Sequence, residues 1–149
     1  MITKGLSMYR ATGAVLGTPW MLMRLAEAHR RLGQPREGLN CLAEAAQIIE
    51  NTDERRHEAE LHQLRGDLVN ATGNRAAAEQ NYQQALVVAR GQSAKLFELH
   101  AAMSLARLWH DQGKRTEARD LLAPIYGWFT EGFDTPDLKE AKALLAELT

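Results

Sequence analysis

The segment that most invites a chemical reading is His57-Glu58-Ala59-Glu60-Leu61-His62. Zinc-dependent proteases set two histidines four residues apart on a helix, with a glutamate after the first, so that both imidazoles face one ion. Here the spacing is five, which turns the second ring about 140° away on a helix, and the two cannot share a metal. Glu58 and His62 do fall on one face, but two ligands do not close a zinc site, and a surface ion pair is the expected outcome. His100 and His110 lie about 15 Å apart along one predicted helix, too far for joint coordination. His29 is expected inside a helical hairpin with a hydrogen-bonded ring nitrogen. Ser7, Ser93 and Ser104 have neither a strand-to-helix elbow nor a fixed His–Asp pair to make a nucleophile of them. Gly13 and Gly17 lack the preceding strand and following lysine of a phosphate loop, and read as a turn. Cys41 is the single cysteine, so there can be no internal disulfide and no cysteine-based zinc centre; it reads as a small apolar residue on a helix face. No catalytic, cofactor or metal site is predicted, and the chain does not read as an enzyme.

Composition narrows the partners. The 149 residues carry a formal net charge of −1. No segment gathers the lysines and arginines that a duplex binder needs on one face, so nucleic acid is not expected. The pairs Arg30-Arg31 and Arg55-Arg56 stand among Glu27, Glu50, Asp53, Glu54 and Glu58, which predicts a solvated, salt-bridged face rather than a basic patch. The start, MITKGLSMYRATG, lacks the apolar stretch of a signal peptide, and no run approaches the ~20 apolar residues of a membrane span. No membrane partner is expected, and the cytoplasm is the default compartment.

The elements that must position any site come from a repeat. Gly33, Gly73 and Gly113 stand 40 residues apart. The same step links the small residues Ala26, Gly66 and Ala106, then Gly38, Ala78 and Ala118. It also links the large residues Leu42, Tyr82 and Leu122, and the series Ala45, Ala85 and Ile125, where only the last is not small. Before each glycine runs a helical pattern: Leu22, Leu25, Ala26, His29 and Leu32; Leu61, Leu64, Leu68 and Val69; Leu99, Ala102, Met103, Ala106 and Trp109. Spacings of three and four put each set on one helix face. The glycine ends the helix by taking the left-handed backbone, and a second helix follows, as in RAAAEQNYQQALVVAR (Arg75 to Arg90), rich in alanine and other helix formers. Small residues at the shared positions let two antiparallel helices approach closely. Trp20, Trp109 and Trp128 occupy three different repeat positions and form no ladder; Trp109 is expected in the core, and GWFTEGF (Gly127 to Phe133) is expected to pack under the last helix.

The string AELHQLRGDLVNATGNRAAAEQNYQQALVVAR resembles a tetratricopeptide repeat, whose pattern wants small residues at its eighth, twentieth and twenty-seventh places. Gly66, Ala78 and Ala85 fall there, with Tyr82 at the aromatic place; Ala26, Gly38 and Ala45 match in the first copy, and Ala106 and Ala118 in the third. The early Trp of the pattern is replaced by Leu22, His62 and Ala102, no Pro closes a copy, and the period exceeds the usual ~34 residues, which makes a long-helix variant. The resemblance implies an all-α, right-handed α-α superhelix of stacked hairpins with about eight helices in one domain: a half repeat over 2–16, repeats over 18–52, 57–92 and 95–132, and a terminal half repeat over 135–148. The phrases GLSMYRATGAVLGTPW, AEAHRRLGQPREGLNCLAEAAQIIE and ERRHEAELHQLRGDL are similar to the C-terminal repeats of large bacterial signalling proteins. Those join a nucleotide cyclase or a DNA-binding regulator to an NTPase module.

What the resemblance implies for function is a scaffold that binds a protein or peptide segment in a concave groove lined by the first helices. The inward residues would be Trp20, Met23, Glu27 and Arg30, then Gln63, Asp67 and Asn70, then Met103, Arg107 and His110. The family's clamp for acidic tails wants lysines and asparagines where Glu27 and Asp67 stand, so that partner is disfavoured. A second reading is self-association into a homodimer through uncovered terminal faces, with Leu6 and Tyr9 as the contact residues at one end and 136–148 at the other. A small-molecule sensor or enzyme has no motif behind it.

Overall fold

A computed structural model describes residues 18–53 and 55–149. They form seven helices: α1 (Thr18–Arg31), α2 (Pro35–Thr52), α3 (Glu58–Ala71), α4 (Arg75–Gly91), α5 (Lys95–Asp111), α6 (Arg115–Gly127) and α7 (Pro136–Leu148). There is no strand among the described residues. The expected helix over 2–16 lies outside them, as do Leu6 and Tyr9.

Each helix ends for a local reason. Gly33, Gly73 and Gly113 have φ of +72°, +91° and +80°, the left-handed backbone that glycine adopts without a Cβ clash. At each, the next residue's N–H reaches back to close the helix: Gln34 to the His29 carbonyl at 2.8 Å, Asn74 to Val69 at 3.1 Å and Lys114 to Trp109 at 2.8 Å. These are the long backbone bonds of a Schellman cap. The α4–α5 turn closes the same way, Ala94 N–H donating to the Ala89 carbonyl at 2.8 Å, but the left-handed residue there is Ser93, at φ +54°. Helix starts are equally specified: Pro35 and Pro136 open α2 and α7, where a missing N–H costs nothing, and the Asn74 side chain accepts from the Ala77 N–H at 3.1 Å.

Packing runs from each helix to the next and to the next but one. The hairpins are α1–α2, α3–α4 and α5–α6, and α7 closes against α5 and α6. First helices also touch one another (α1 with α3, α3 with α5, α5 with α7), whereas the second helices α2, α4 and α6 make no mutual contact. Seven helices so arranged form a superhelical stack whose inner side belongs to the first helices. The repeated small positions are the points of closest approach. Ala26, Ala45, Ala78, Ala85, Ala106 and Ala118 are fully buried. A Cβ on Gly66 would meet Tyr82 Cε1 at 2.5 Å, and one on Gly38 would meet Leu68 Cδ2 at 2.9 Å and the Ala26 carbonyl at 3.2 Å.

The core is laid across the hairpin boundaries. Leu61, Leu64 and Leu68 of α3 pack back onto α1 and α2, while Val69 of the same helix packs onto the cluster that Tyr82, Leu99, Leu122 and Leu148 build further along. Each such buried leucine contributes roughly 1.5–3 kcal/mol, and much of it comes from the neighbouring repeat, as stacked repeats require. In α7, Leu138, Ala141, Leu144 and Leu148 face inward and Lys139, Glu140, Lys142 and Glu147 are exposed. These inward residues pack on α5 and α6. GWFTEGF departs from expectation. Phe129 joins the core, but Trp128 and Phe133 remain 57% and 47% exposed. Trp128 instead packs edge-on to Phe129 and beneath the Lys95 ammonium, 5.3 Å from its ring centroid.

Candidate functional site

Along α1, α3 and α5 the positions toward the inner side recur in four sets, the members of each 40 residues apart in sequence. Because the three helices run parallel, their N-terminal halves place Trp20, Glu60 and His100 at one edge, and their C-terminal halves place Arg30, Asn70 and His110 at the other. Met23, Gln63 and Met103 lie between, followed by Glu27, Asp67 and Arg107.

Polar contacts bridge successive first helices. Arg24 of α1 donates to Glu60 of α3, and the Gln63 amide donates to Ser104 Oγ of α5 at 3.1 Å. Onward to α7, His100 Nε2 meets Asp137 Oδ1 at 3.0 Å and Arg107 approaches Glu140 at 3.5 Å. Within α1, Arg30 grips Glu27 through two nitrogens at 2.7 and 2.9 Å, and Arg31 adds a third contact at 3.3 Å. The Arg30 hydrogen bond holds the Glu27 carboxyl below its usual range, against the opposing effect of burial, and Glu27 in turn raises Arg30.

Asp67 is different. Its Oδ1 accepts the Tyr82 hydroxyl at 2.5 Å, and burial pushes its carboxyl up despite that bond and the field of Arg30. Burial, together with the nearby Asp67 charge, pushes the Tyr82 phenol up as well. Two clefts open on either side of this carboxylate. One, of about 270 Å³, has Glu27, Gln63 and Asp67 in its wall with Phe97 and His100. The other, of about 240 Å³, lies over Asp67, Asn70, Ser104, Arg107 and Asp111.

The residues expected on this face divide accordingly. Glu27, Gln63, Asp67, Asn70 and Arg107 line the clefts. Trp20 is 45% exposed and carries the Arg24 guanidinium 5.7 Å from its ring centroid. Arg30 is exposed and His110 half-buried, but neither lines the two clefts. Met23 and Met103 are a correction: at 0% and 3% exposure they are core residues with no surface to offer. Each first helix is covered both by its hairpin partner and by the next first helix, so its buried arc is wide enough to take in this position. Arg24, Ser104 and Asp111 also line the clefts, beside the inward positions read from the sequence; Tyr82, a core residue of α4 that the 40-residue step does mark, reaches one cleft only through its hydroxyl end.

The remaining chemical candidates resolve as structure. His29 Nδ1 bonds Gln34 Oε1 at 2.7 Å. Glu58 accepts from Arg55 at 2.8 Å rather than forming the close ion pair expected with His62. Burial and the charge of Arg65 depress the His62 imidazole. Arg55 also reaches Glu50 and Asp53, so Arg55 is salt-bridged. Among the described residues no group of three His, Cys, Asp or Glu side chains could hold a metal ion, and no helix is long and apolar enough to cross a membrane. A third cleft, between the ends of α4, α5 and α6, contains Glu98. That carboxylate is 6% exposed and is held by Arg90 at 2.9 Å and Lys95 at 3.3 Å, a staple between α4 and α5.

Compared with known families, residues 17–91 match the model of the tetratricopeptide repeat, half of the chain. No curated protein matches the sequence. The α5–α6 hairpin beyond the matched span repeats the same devices: left-handed Gly113 and buried Ala106 and Ala118.

Proposed function

Since the chain belongs to the tetratricopeptide repeat family, we propose that it is an interaction module holding a peptide or protein segment along the inner face of α1, α3 and α5. The observation that carries this reading is the asymmetry of packing. First helices touch one another and second helices do not, so the stack curves around one face, and that face holds two clefts walled by polar side chains. A surface of this kind recognises a segment by many modest contacts, main-chain hydrogen bonds to Gln63 and Asn70 among them. The resemblance of its phrases to the terminal repeats of bacterial signalling proteins supports a place in cytoplasmic regulation, where such a module would bring a partner to an output domain. The division into three hairpins flanked by half repeats is part of the same reading.

The test is capture of a partner by the wild-type chain against the charge-reversed pair Glu27→Lys with Asp67→Lys. Loss of capture with unchanged helicity is the expected result. Equal capture by both proteins would move the binding surface away from the groove.

A further inference from the structure

Glu27, Asp67 and Arg107 occupy the same place on three successive first helices, yet their charges are treated differently. Glu27 is neutralised by Arg30 and Arg31, and Arg107 is turned toward Glu140 at 3.5 Å. Asp67 has no cation within ion-pair distance among the described residues; its one hydrogen bond comes from a neutral phenol, Tyr82, at 2.5 Å. A half-buried carboxylate without a cation is costly, because the charge has lost water and gained only partial compensation.

The surroundings of Asp67 favour positive charge. The cleft of about 240 Å³ beside it is lined by Asp67, Asn70, Tyr82, Ser104, Arg107 and Asp111: two carboxylates against one guanidinium that already faces Glu140. Asp111 is the last residue of α5, and Asn70 is the second-last of α3. The cleft therefore lies beside the last turns of both helices, where the helix dipole leaves partial negative charge. The Ser104 hydroxyl, which accepts from the Gln63 amide at 3.1 Å, stands in the same wall. The volume is below the roughly 300–1,000 Å³ of small-molecule pockets, and suits a single long side chain.

We infer that the segment held in the groove places a lysine or arginine side chain in the α3–α5 cleft, with Asp67 as its anchoring carboxylate. This rests on the groove reading above and specifies it. The ammonium or guanidinium would take the free oxygen of Asp67 while Tyr82 keeps the other oxygen in place. Arg107, in the wall of the same cleft, keeps Glu140 as its ion-pair partner.

The experiment is an array of short randomised peptides with arginine, lysine, citrulline or glutamate fixed at the central position, probed with wild-type protein and with Asp67→Asn. Asparagine retains an acceptor for the Tyr82 hydroxyl, so the fold is kept and only the charge is lost; circular dichroism verifies this. The expected result is enrichment of arginine and lysine peptides over citrulline and glutamate, with loss of about tenfold or more in their affinity for Asp67→Asn, the size of a charge-assisted hydrogen bond. Glu117→Gln, at an exposed carboxylate in the first turn of the second helix α6, should leave the preference unchanged. Peptides that bind without a basic preference, or equally well to Asp67→Asn, overturn the inference and leave the groove reading standing. Failure of every peptide overturns both.

Discussion

Replacing Gly66 with alanine is the sharpest perturbation of the hairpin packing, because two effects of opposite sign compete. At an exposed mid-helix site the change would stabilise by about 1 kcal/mol through helix propensity. Here the new methyl carbon would stand 2.5 and 2.7 Å from Cε1 and Cδ1 of Tyr82. The ring cannot step aside freely: it is 3% exposed and its hydroxyl is tied to Asp67 at 2.5 Å. Overpacking of this kind costs roughly 1–3 kcal/mol, and displacing the phenol from a carboxylate costs about 1.5–3 kcal/mol more. With the propensity gain set against them, the net is a destabilisation of about 1.5–5 kcal/mol. Urea unfolding followed by far-ultraviolet circular dichroism measures it. In a Tyr82→Leu background the penalty should shrink by more than half, since the obstructing ring is gone; a double-mutant cycle isolates that coupling. A Gly66→Ala protein as stable as wild type, or a penalty that survives intact once the ring has been removed, would refute this account of why the position is small.

Other expectations follow from single sites. Ser93 holds φ +54° in the turn between two hairpins, as Asp53 does at φ +55° one copy earlier, so Ser93→Gly should raise stability by up to about 1 kcal/mol, net of added chain entropy; a lower melting temperature would contradict the assignment of strain. Glu98→Ala removes a carboxylate that is 6% exposed and strands Arg90 and Lys95, and a loss of about 1–3 kcal/mol is expected in urea, with Glu98→Gln losing less. Asp67 gives a pH dependence of defined sign. Burial raises its carboxyl above the ordinary 3.8, so the folded chain binds the proton before the unfolded chain does. Acidification from neutral pH should therefore add stability through this residue until pH reaches the ordinary value, with no further gain below it. Wild type minus Asp67→Asn, compared by unfolding midpoints across that range, should show wild type gaining on the variant as pH falls; a flat difference, or one that grows the other way, refutes the burial argument.

The fold is legible in the sequence because its determinants are local and recur. Glycine 40 residues from glycine announces a left-handed cap, and all three adopt it; small residues at matched positions announce close helix approach, and they are buried. Ser93 is not legible in this way, because its turn forms the same backbone bonds without the residue that signals them. Parts of the inner face are illegible for a different reason. Whether a first-helix side chain points into the groove or under the next hairpin depends on how far one repeat is rotated against another, and Met23 and Met103 fall just inside that limit while Gln63 lies beyond it. Bridges such as Arg24–Glu60 and Arg107–Glu140 join residues 36 and 33 apart. They lie off the 40-residue step, since each long side chain reaches along its helix as well as across to the next. Trp128 departs from its expected place because an apolar run does not by itself dictate burial: the Lys95 ammonium gives its ring a partner at the surface.

The placement of the binding face on the first helices is open to direct measurement by backbone amide chemical shifts of the isotope-labelled chain, recorded with and without a basic peptide selected from the array. Shifts concentrated on α3 and α5 around Gln63, Asp67, Asn70, Ser104 and Arg107, with α2, α4 and α6 largely still, are the expected pattern. Shifts confined to those second helices would put the ligand on the opposite side of the stack and contradict the assignment.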